Sequence, residues 1–334
     1  MIKRHIKLYF PRWFWSDNLG DSIMLSSVFK AIKEVYDPCL FEVITDEVLV
    51  NTFYNDPHVD HIRQPNWWER ILPEKVYKEK HTKYFLNSRS TTIFIIWPSW
   101  QEQLFTHLSN ENNLNECINA PYKNILSYNF AVQIGNDMVQ FHDLRPRIYL
   151  TDNEIREAKK GIDRNSIAIN VARIRYTQTR TDGEQLRYKR ESWERFVKEI
   201  KYKFPSLTIY EIGQDQFEGI GDKFIPKCSF RELAASLNEM KMVILSDGGI
   251  HHVCNAIDKE VLLFQAYEWN PPDLYKMHNT IFNETYHTEC RKRCHIFAEM
   301  IGKPCAVEKC DRECYLLDPV KLAQDCIKYL KEKE

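Results

Sequence analysis

Met242-Val243-Ile244-Leu245-Ser246-Asp247-Gly248-Gly249-Ile250-His251-His252 is the stretch that decides the fold. Four apolar residues, β-branched ones among them, predict a buried strand, and Ser-Asp-Gly-Gly predicts the turn that stops it. A helix carrying His251, His252 and Ala256 follows. A strand that passes through glycines into a helix is the building unit of a parallel α/β sheet. The same junction is suited to an anion. Glycines let the backbone approach closely, the helix start offers N–H groups and a positive dipole end, and Asp247 and the histidines add polar chemistry. The combination points to a phosphorylated ligand.

Outward from this junction the pattern repeats. Toward the C-terminus 261–264 reads as a strand, and 319–330 as a helix with Val320, Leu322, Ala323, Cys326, Ile327 and Leu330 on one buried stripe. Toward the N-terminus the spacing predicts a helix over 230–240, a strand over 207–212, a helix over 193–202 and a strand over 166–171. A Pro-containing stretch at 145–152 and a polar helix over 153–160 mark a composition break, and 150–165 reads as a linker. The first half alternates in the same way: a strand at 5–10, a helix over 21–36, and strands at 40–45 and 92–97. The expected domains are two α/β domains over 1–155 and 156–316, the second with a cysteine-rich segment at 290–314, and a final helix over 317–334. At 334 residues the chain has the length for two such domains.

Composition removes several classes of function. A hydrophobic content of 43% argues against wholesale disorder despite 28% charged residues. Lys and Arg total 46 against 47 Asp and Glu, so no global field attracts nucleic acid, and none is expected as a partner. The apolar run at 6–10 is broken by Lys7 and followed by Pro11-Arg12, a poor signal peptide, and nothing approaches the ~20 apolar residues of a membrane span. The expectation is a soluble, cytoplasmic protein, with peripheral attachment to the inner face of the cytoplasmic membrane kept as an alternative.

Chemistry-bearing residues gather in a few loops. Ser16-Asp17-Asn18-Leu19-Gly20-Asp21-Ser22 follows the first strand, where ligands of open α/β sheets bind. Asp21 is placed to act as a general base; helix capping is the commoner use of such a residue. The loop 172–193 holds Arg173, Arg175, Arg180, Arg187, Lys189 and Arg190, among which Arg187 and Lys189 are the chosen phosphate contacts. The loop after Ile212 offers carboxylates, Asp215 among them, to ribose hydroxyls. Trp67 and Trp68, beside Glu69 and Arg70, read either as a sugar contact or as an aromatic cluster packing a loop, and packing is the usual fate of large aromatics. Trp97 and Trp100 are grouped with them as acceptor-side residues. Five of the ten cysteines, Cys290, Cys294, Cys305, Cys310 and Cys314, crowd into residues 290–314. Cys290, Cys294, Cys310 and Cys314 read as ligands of a structural zinc or iron, or as free thiols, since tight Cys-x2-Cys pairs are lacking.

Taken together, residues 18–29 (NLGDSIMLSSVF) and 246–259 (SDGGIHHVCNAIDK) resemble glycosyltransferase family 9, which contains the ADP-heptose:lipopolysaccharide heptosyltransferases. The resemblance implies a GT-B fold, with two Rossmann-like domains facing a cleft and the last helix returning to the first domain. It implies inverting, metal-independent sugar transfer from a nucleotide-diphosphate donor, with no cofactor needed for catalysis. Asp21 is then the base toward the acceptor hydroxyl, Asp247 the contact to the donor sugar, and Gly248, Gly249 and the helix start the diphosphate site. His252 falls at the family's histidine, leaving His251 as a structural neighbour. The expected partners are ADP-heptose and a bacterial surface glycan. The rivals are another nucleotide sugar on a protein or other non-lipid acceptor, a polysaccharide pyruvyltransferase-like enzyme, and a non-catalytic nucleotide-sugar-binding protein.

Overall fold

The computed structural model describes residues 4–10, 22–70, 85–87, 91–96, 107–119, 125–141, 143–171, 190–213, 218–246, 248–265, 279–282 and 318–333. The chain divides into two compact units. The first is Met1–Thr151 with Asn255–Ile257 and Met300–Gly302, and the second is Asp152–Cys254 with Asp258–Glu299 and Lys303–Glu334.

In the first unit, strands β1 (Arg4–Tyr9), β2 (Cys39–Ile44), β3 (His61–Arg63), β4 (Phe85–Asn87) and β5 (Thr91–Ile95) form one sheet in the order β3-β2-β1-β5-β4. All pairs are parallel except β4 with β5. β1 and β2 present Ile6, Leu8, Tyr9, Phe41, Val43 and Ile44 to the interior, as strands covered on both faces do. The single helix expected over 21–36 is divided into a 3₁₀ turn, Met24–Val28, and α1, Phe29–Val35. Ser26 Oγ donates to the Ile23 carbonyl at 3.0 Å and accepts the Arg147 N–H at 2.7 Å. A hydroxyl bonded back to its own turn competes with the helical ladder, which accounts for the tightening. Helices α2 (Glu47–Thr52), α3 (Glu111–Asn119), α4 (Ile125–Ile134) and α5 (Asn136–Val139) complete the described part of this unit.

In the second unit β6 (Ser166–Ile169), β7 (Thr208–Glu211), β8 (Lys223–Phe224), β9 (Met242–Ser246), β10 (Val261–Gln265) and β11 (Thr280–Phe282) form a wholly parallel sheet ordered β11-β10-β9-β6-β7-β8. The helices are α6 (Asp152–Gly161), α7 (Arg190–Lys203), α8 (Phe230–Asn238), α9 (Gly249–Ala256) and α10 (Pro319–Glu332). Trp193 and Phe196 of α7 pack edge-on at 5.8 Å between ring centres, and Trp193 meets Phe264 of β10 at 5.2 Å.

Two boundaries differ from the sequence reading. The units part at Thr151/Asp152 rather than 155/156, and the polar helix expected over 153–160 is α6, which belongs to the second unit and not to a linker. That helix buries no apolar stripe, and its Glu154 takes two hydrogen bonds, 2.6 and 2.7 Å, from the largely buried Arg231 of α8. This ion pair ties it to the second unit. The final helix, expected on the first domain, instead puts Leu322, Ala323, Cys326 and Leu330 into the same core as Ile167, Trp193, Phe196 and Ile244. The stripe was read correctly; its partner was not, because a stripe carries no address.

One construction recurs in both units. Lys33, in α1, donates to the Cys39 carbonyl six residues on (3.0 Å) and to Asp60 Oδ2 (2.5 Å), and Asp60 Oδ2 also accepts the Phe41 N–H at 2.7 Å. Lys201, in α7, donates to the Leu207 carbonyl six residues on (2.6 Å) and to Asp222 Oδ2 (2.5 Å), which accepts the Ile209 N–H at 2.8 Å. In each case the aspartate immediately precedes the strand that pairs next in the sheet, β3 or β8. The lysine therefore ties the helix after the central strand to the sheet edge beside it.

Candidate functional site

In the second sheet β6 lies between β9 and β7, and the chain builds β6, β7 and β8 outward before returning to build β9, β10 and β11 on the other side. The gap between β6 and β9 is thus a topological switch point, the place where open α/β sheets bind ligands beyond their carboxyl ends. Three strand ends meet there. Asn170 follows β6 and donates its N–H to Ile244 O at 2.9 Å, and Ile212 follows β7 and donates to Ile169 O at 3.0 Å. Gly213 comes next with φ +77°; a Cβ on it would stand 2.5 Å from Asn170 Nδ2 and 2.5 Å from Ile250 Cδ1. Gly248 follows β9 with φ +154° and Gly249 opens α9. Glycine is required at 213 by both space and angle, and at 248 by angle.

Gly248, Gly249 and Ile250 are half-exposed, whereas His251 to Ala256 are buried. The helix therefore begins near the surface while its body is enclosed, and a helix start within reach of solvent is where an anion is favoured. His251 is anchored by Nε2 at 2.9 Å from Thr280 Oγ1, at the start of β11, and its ring stacks at 6.0 Å and 20° on that of His252. Burial pushes the Cys254 thiol upward in pKa, so it is an inert filler of the same helix.

Glu211 is a feature the sequence reading missed. Fully buried at the end of β7, its carboxylate accepts the N–H groups of Glu218 (2.8 Å), Gly221 (2.7 Å) and Ile220. Arg190 reaches the same place from α7, donating to the Glu218 carbonyl at 2.8 Å and to Glu194 at 2.6 Å. Arg190, one of the basic residues considered for phosphate, is thus engaged in holding this loop. A lone Glu in a strand pattern gives no sign of such a role.

Of the site residues chosen from sequence, Gly248 and Gly249 stand at the start of α9, whose Ile250 meets Gly213, and His252 lies buried in the same helix, stacked on His251. Asp21, Asp247, Arg187, Lys189, Asp215, Cys290, Cys294, Cys310 and Cys314, as well as Trp97 and Trp100, lie outside the described residues. Among the described residues no group of three or more His, Cys, Asp or Glu is placed to hold a metal. No described helix is long and apolar enough to cross a membrane.

The carboxyl edge of the first sheet carries a second organised cluster. Tyr9, ending β1, donates to Glu69 Oε1 at 2.8 Å; Arg63, ending β3, grips both Glu69 oxygens at 2.6 and 2.8 Å and Glu42 Oε1 at 2.7 Å; the Asn66 N–H adds 2.8 Å to Glu69 Oε2. Lys7 and His5 each stand 3.3 Å from Glu42. Burial works to raise the Glu69 pKa, but the bonds from Arg63, Asn66 and Tyr9 prevail and hold it at about 2. The turn so fixed exposes Trp67 (77%) and Trp68 (49%), which corrects the expectation of a packed aromatic cluster.

No family model matches the sequence, and no curated protein matches it. Solved structures do resemble it in fold. The glycosyltransferase family 9 protein from Veillonella parvula DSM 2008 aligns with TM-score 0.58 over 99% of this chain and 98% of its own, at 14% identity. E. coli ADP-heptose lps heptosyltransferase II aligns with TM-score 0.59 over 99% and 100%, at 10% identity. The iron-containing dodecameric glycosyltransferase TibC from enterotoxigenic E. coli H10407 aligns with TM-score 0.56 over 100% of this chain and 78% of its own, at 11% identity. The chain thus has the fold of these glycosyltransferases.

Proposed function

We propose that this protein is an inverting glycosyltransferase that moves a sugar, heptose from ADP-heptose, onto a hydroxyl of a bacterial surface glycan. The observation that carries the reading is the Gly248-Gly249 helix start at the switch point of the second sheet, in a chain whose fold is that of glycosyltransferases. In this reading the departing diphosphate lies at the first turn of α9. There N–H groups and the helix dipole meet the negative charge that grows as the bond between the anomeric carbon and the diphosphate oxygen breaks. Asp21 takes the acceptor hydroxyl proton, the acceptor oxygen forms the new bond from the opposite face of the sugar, and the configuration inverts. Asp247 and His252 contact the donor sugar and diphosphate, Arg187 or Lys189 adds positive charge, and Asp215 holds the ribose. No metal takes part in the transfer. A zinc or iron held by Cys290, Cys294, Cys310 and Cys314 would brace the C-terminal segment.

Thermal-shift titration of the full chain with ADP-heptose, UDP-sugars, GDP-sugars and phosphoenolpyruvate tests the donor. ADP-heptose at a hundred times its Kd is expected to stabilise the fold by about 2.7 kcal/mol. Stabilisation by phosphoenolpyruvate alone would instead favour a pyruvyl transfer, and no response to any nucleotide sugar would sink the reading. Asp21→Asn is expected to lower turnover by about 10²–10⁴-fold while donor stabilisation persists. Unchanged turnover would remove Asp21 from the base role, and absent turnover in the wild type with intact donor binding would leave a binding protein.

A further inference from the structure

We infer that the turn carrying Trp67 and Trp68 is a saccharide-binding platform on the first unit; as the place where the acceptor glycan rests, it builds on the glycosyltransferase reading. The turn runs out of β3 at the carboxyl edge of the first sheet, the edge at which β1 also ends. Along it burial alternates with purpose: Pro65 and Glu69 are buried, while Gln64, Asn66, Trp67, Trp68 and Arg70 are exposed.

An exposed tryptophan on a loose loop means little. This turn is held. The Glu69 carboxylate, with no exposed surface, is bonded by Tyr9, by both terminal nitrogens of Arg63 and by the Asn66 N–H, and the Arg70 N–H closes the turn on the Asn66 carbonyl at 3.2 Å. Four hydrogen bonds to one buried carboxylate therefore fix a backbone whose largest apolar side chains point to water. Large exposed aromatics on a fixed scaffold mark a surface for a ligand that is apolar on one side and polar at its rim.

A pyranose has that character: a face of C–H groups to lie on an indole ring, and hydroxyls around it for the amides of Gln64 and Asn66 and the guanidinium of Arg70. A membrane surface also accepts tryptophan, but anionic lipid needs clustered positive charge. Arg63, the other cation of this turn, is neutralised by Glu42 and Glu69. The charge left over suits a neutral or mildly acidic sugar better than a lipid headgroup.

The test is tryptophan-emission and calorimetric titration of the full chain, without donor, using lipid-free core oligosaccharide released from lipopolysaccharide. Parallel runs use vesicles of phosphatidylethanolamine and phosphatidylglycerol. Trp67→Ala and the Trp67→Ala/Trp68→Ala pair are expected to weaken oligosaccharide binding by about ten-fold or more, and Trp67→Tyr to restore most of it. Circular dichroism and melting should match the wild type, because the rings are exposed. Oligosaccharide binding that survives the double substitution, a wild type that binds none, or vesicle binding that alone depends on Trp67, would each overturn the platform. The ADP-heptose titration of the wild type separates the two claims. Donor stabilisation with tryptophan-independent saccharide binding removes the platform only, whereas tryptophan-dependent saccharide binding without donor stabilisation keeps the platform and removes the transferase.

Discussion

Gly213 shows how much one missing side chain can decide. Its backbone stands at φ +77°, and a methyl group there would lie 2.5 Å from both Asn170 Nδ2 and Ile250 Cδ1. Gly213→Ala combines an unfavourable backbone angle with overpacking, so a loss of about 1–3 kcal/mol is expected in chemical denaturation. Because Ile250 belongs to the first turn of α9, the same substitution should weaken stabilisation by nucleotide sugars. A denaturation midpoint equal to wild type would show that the strand ends tolerate a larger residue and are not closely apposed. From sequence, Gly213 was only the first residue of a carboxylate-bearing loop. The Asn170 and Ile250 atoms that make glycine necessary come from other strands, and no local pattern names them. Gly248 and Gly249 were legible because their neighbours in sequence, a buried strand and a helix, already state the geometry. Glu211 was not, since a carboxylate in an apolar strand has no local signature of the three N–H groups it accepts.

Among the elements, the Lys33–Asp60 and Lys201–Asp222 bridges do the same work twice, each joining a helix to the start of an edge strand. For Asp60, burial acts to raise the pKa, but the Lys33 hydrogen bond and the Phe41 N–H outweigh it and the carboxyl is held below its ordinary value. Both bridges are partly exposed, which limits each of Lys33→Met and Lys201→Met to a loss of about 1 kcal/mol in urea unfolding. The double variant should lose the sum, because the sites share no partner. A clear departure from additivity would show that the two bridges are coupled. The strands and helices these bridges join were readable from periodicity, within a few residues at each end. The bridges were not: a lysine six residues before a strand is an ordinary surface charge until the fold brings an aspartate from the next loop to it. α6 has the same lesson: its helix is legible in the sequence, but only the Glu154–Arg231 pair makes it part of a unit instead of a linker.

On the scale of the whole molecule, two ion-paired acids of the first unit, the buried Glu69 and the half-buried Asp143, contribute stability that acid removes. Glu69 is held at about 2, where burial is outweighed by Arg63, Asn66 and Tyr9, and Asp143 at about 2, where burial is outweighed by Arg145 and Arg147. Both values lie below those of the free side chains, 4.5 and 3.8. Their contribution is therefore complete above a pH of about 4.5 and disappears as pH falls through about 2. Each is worth on the order of 2–3 kcal/mol. Glu69→Gln and Asp143→Asn should thus cost most of that at pH 7 and well under half as much at pH 2.5, measured by denaturant unfolding at the two pH values; an equal loss at both would mean that packing, not charge, is what these residues supply. The sequence by itself determined the class of fold and one half of the candidate site. Alternating apolar periods of two and 3.6 specify strands and helices, and glycines between a buried strand and a helix specify the turn that joins them. Tertiary structure alone decided which stripe meets which core, so that α10 joins Trp193 and Phe196 of the second unit, and it alone turned Trp67 and Trp68 outward on a turn pinned by Glu69. The physical reason is the same in each case: hydrophobic burial is non-directional and tells a face to hide without telling it where, whereas a buried charge is satisfied only by particular partners, and those are brought together by the fold.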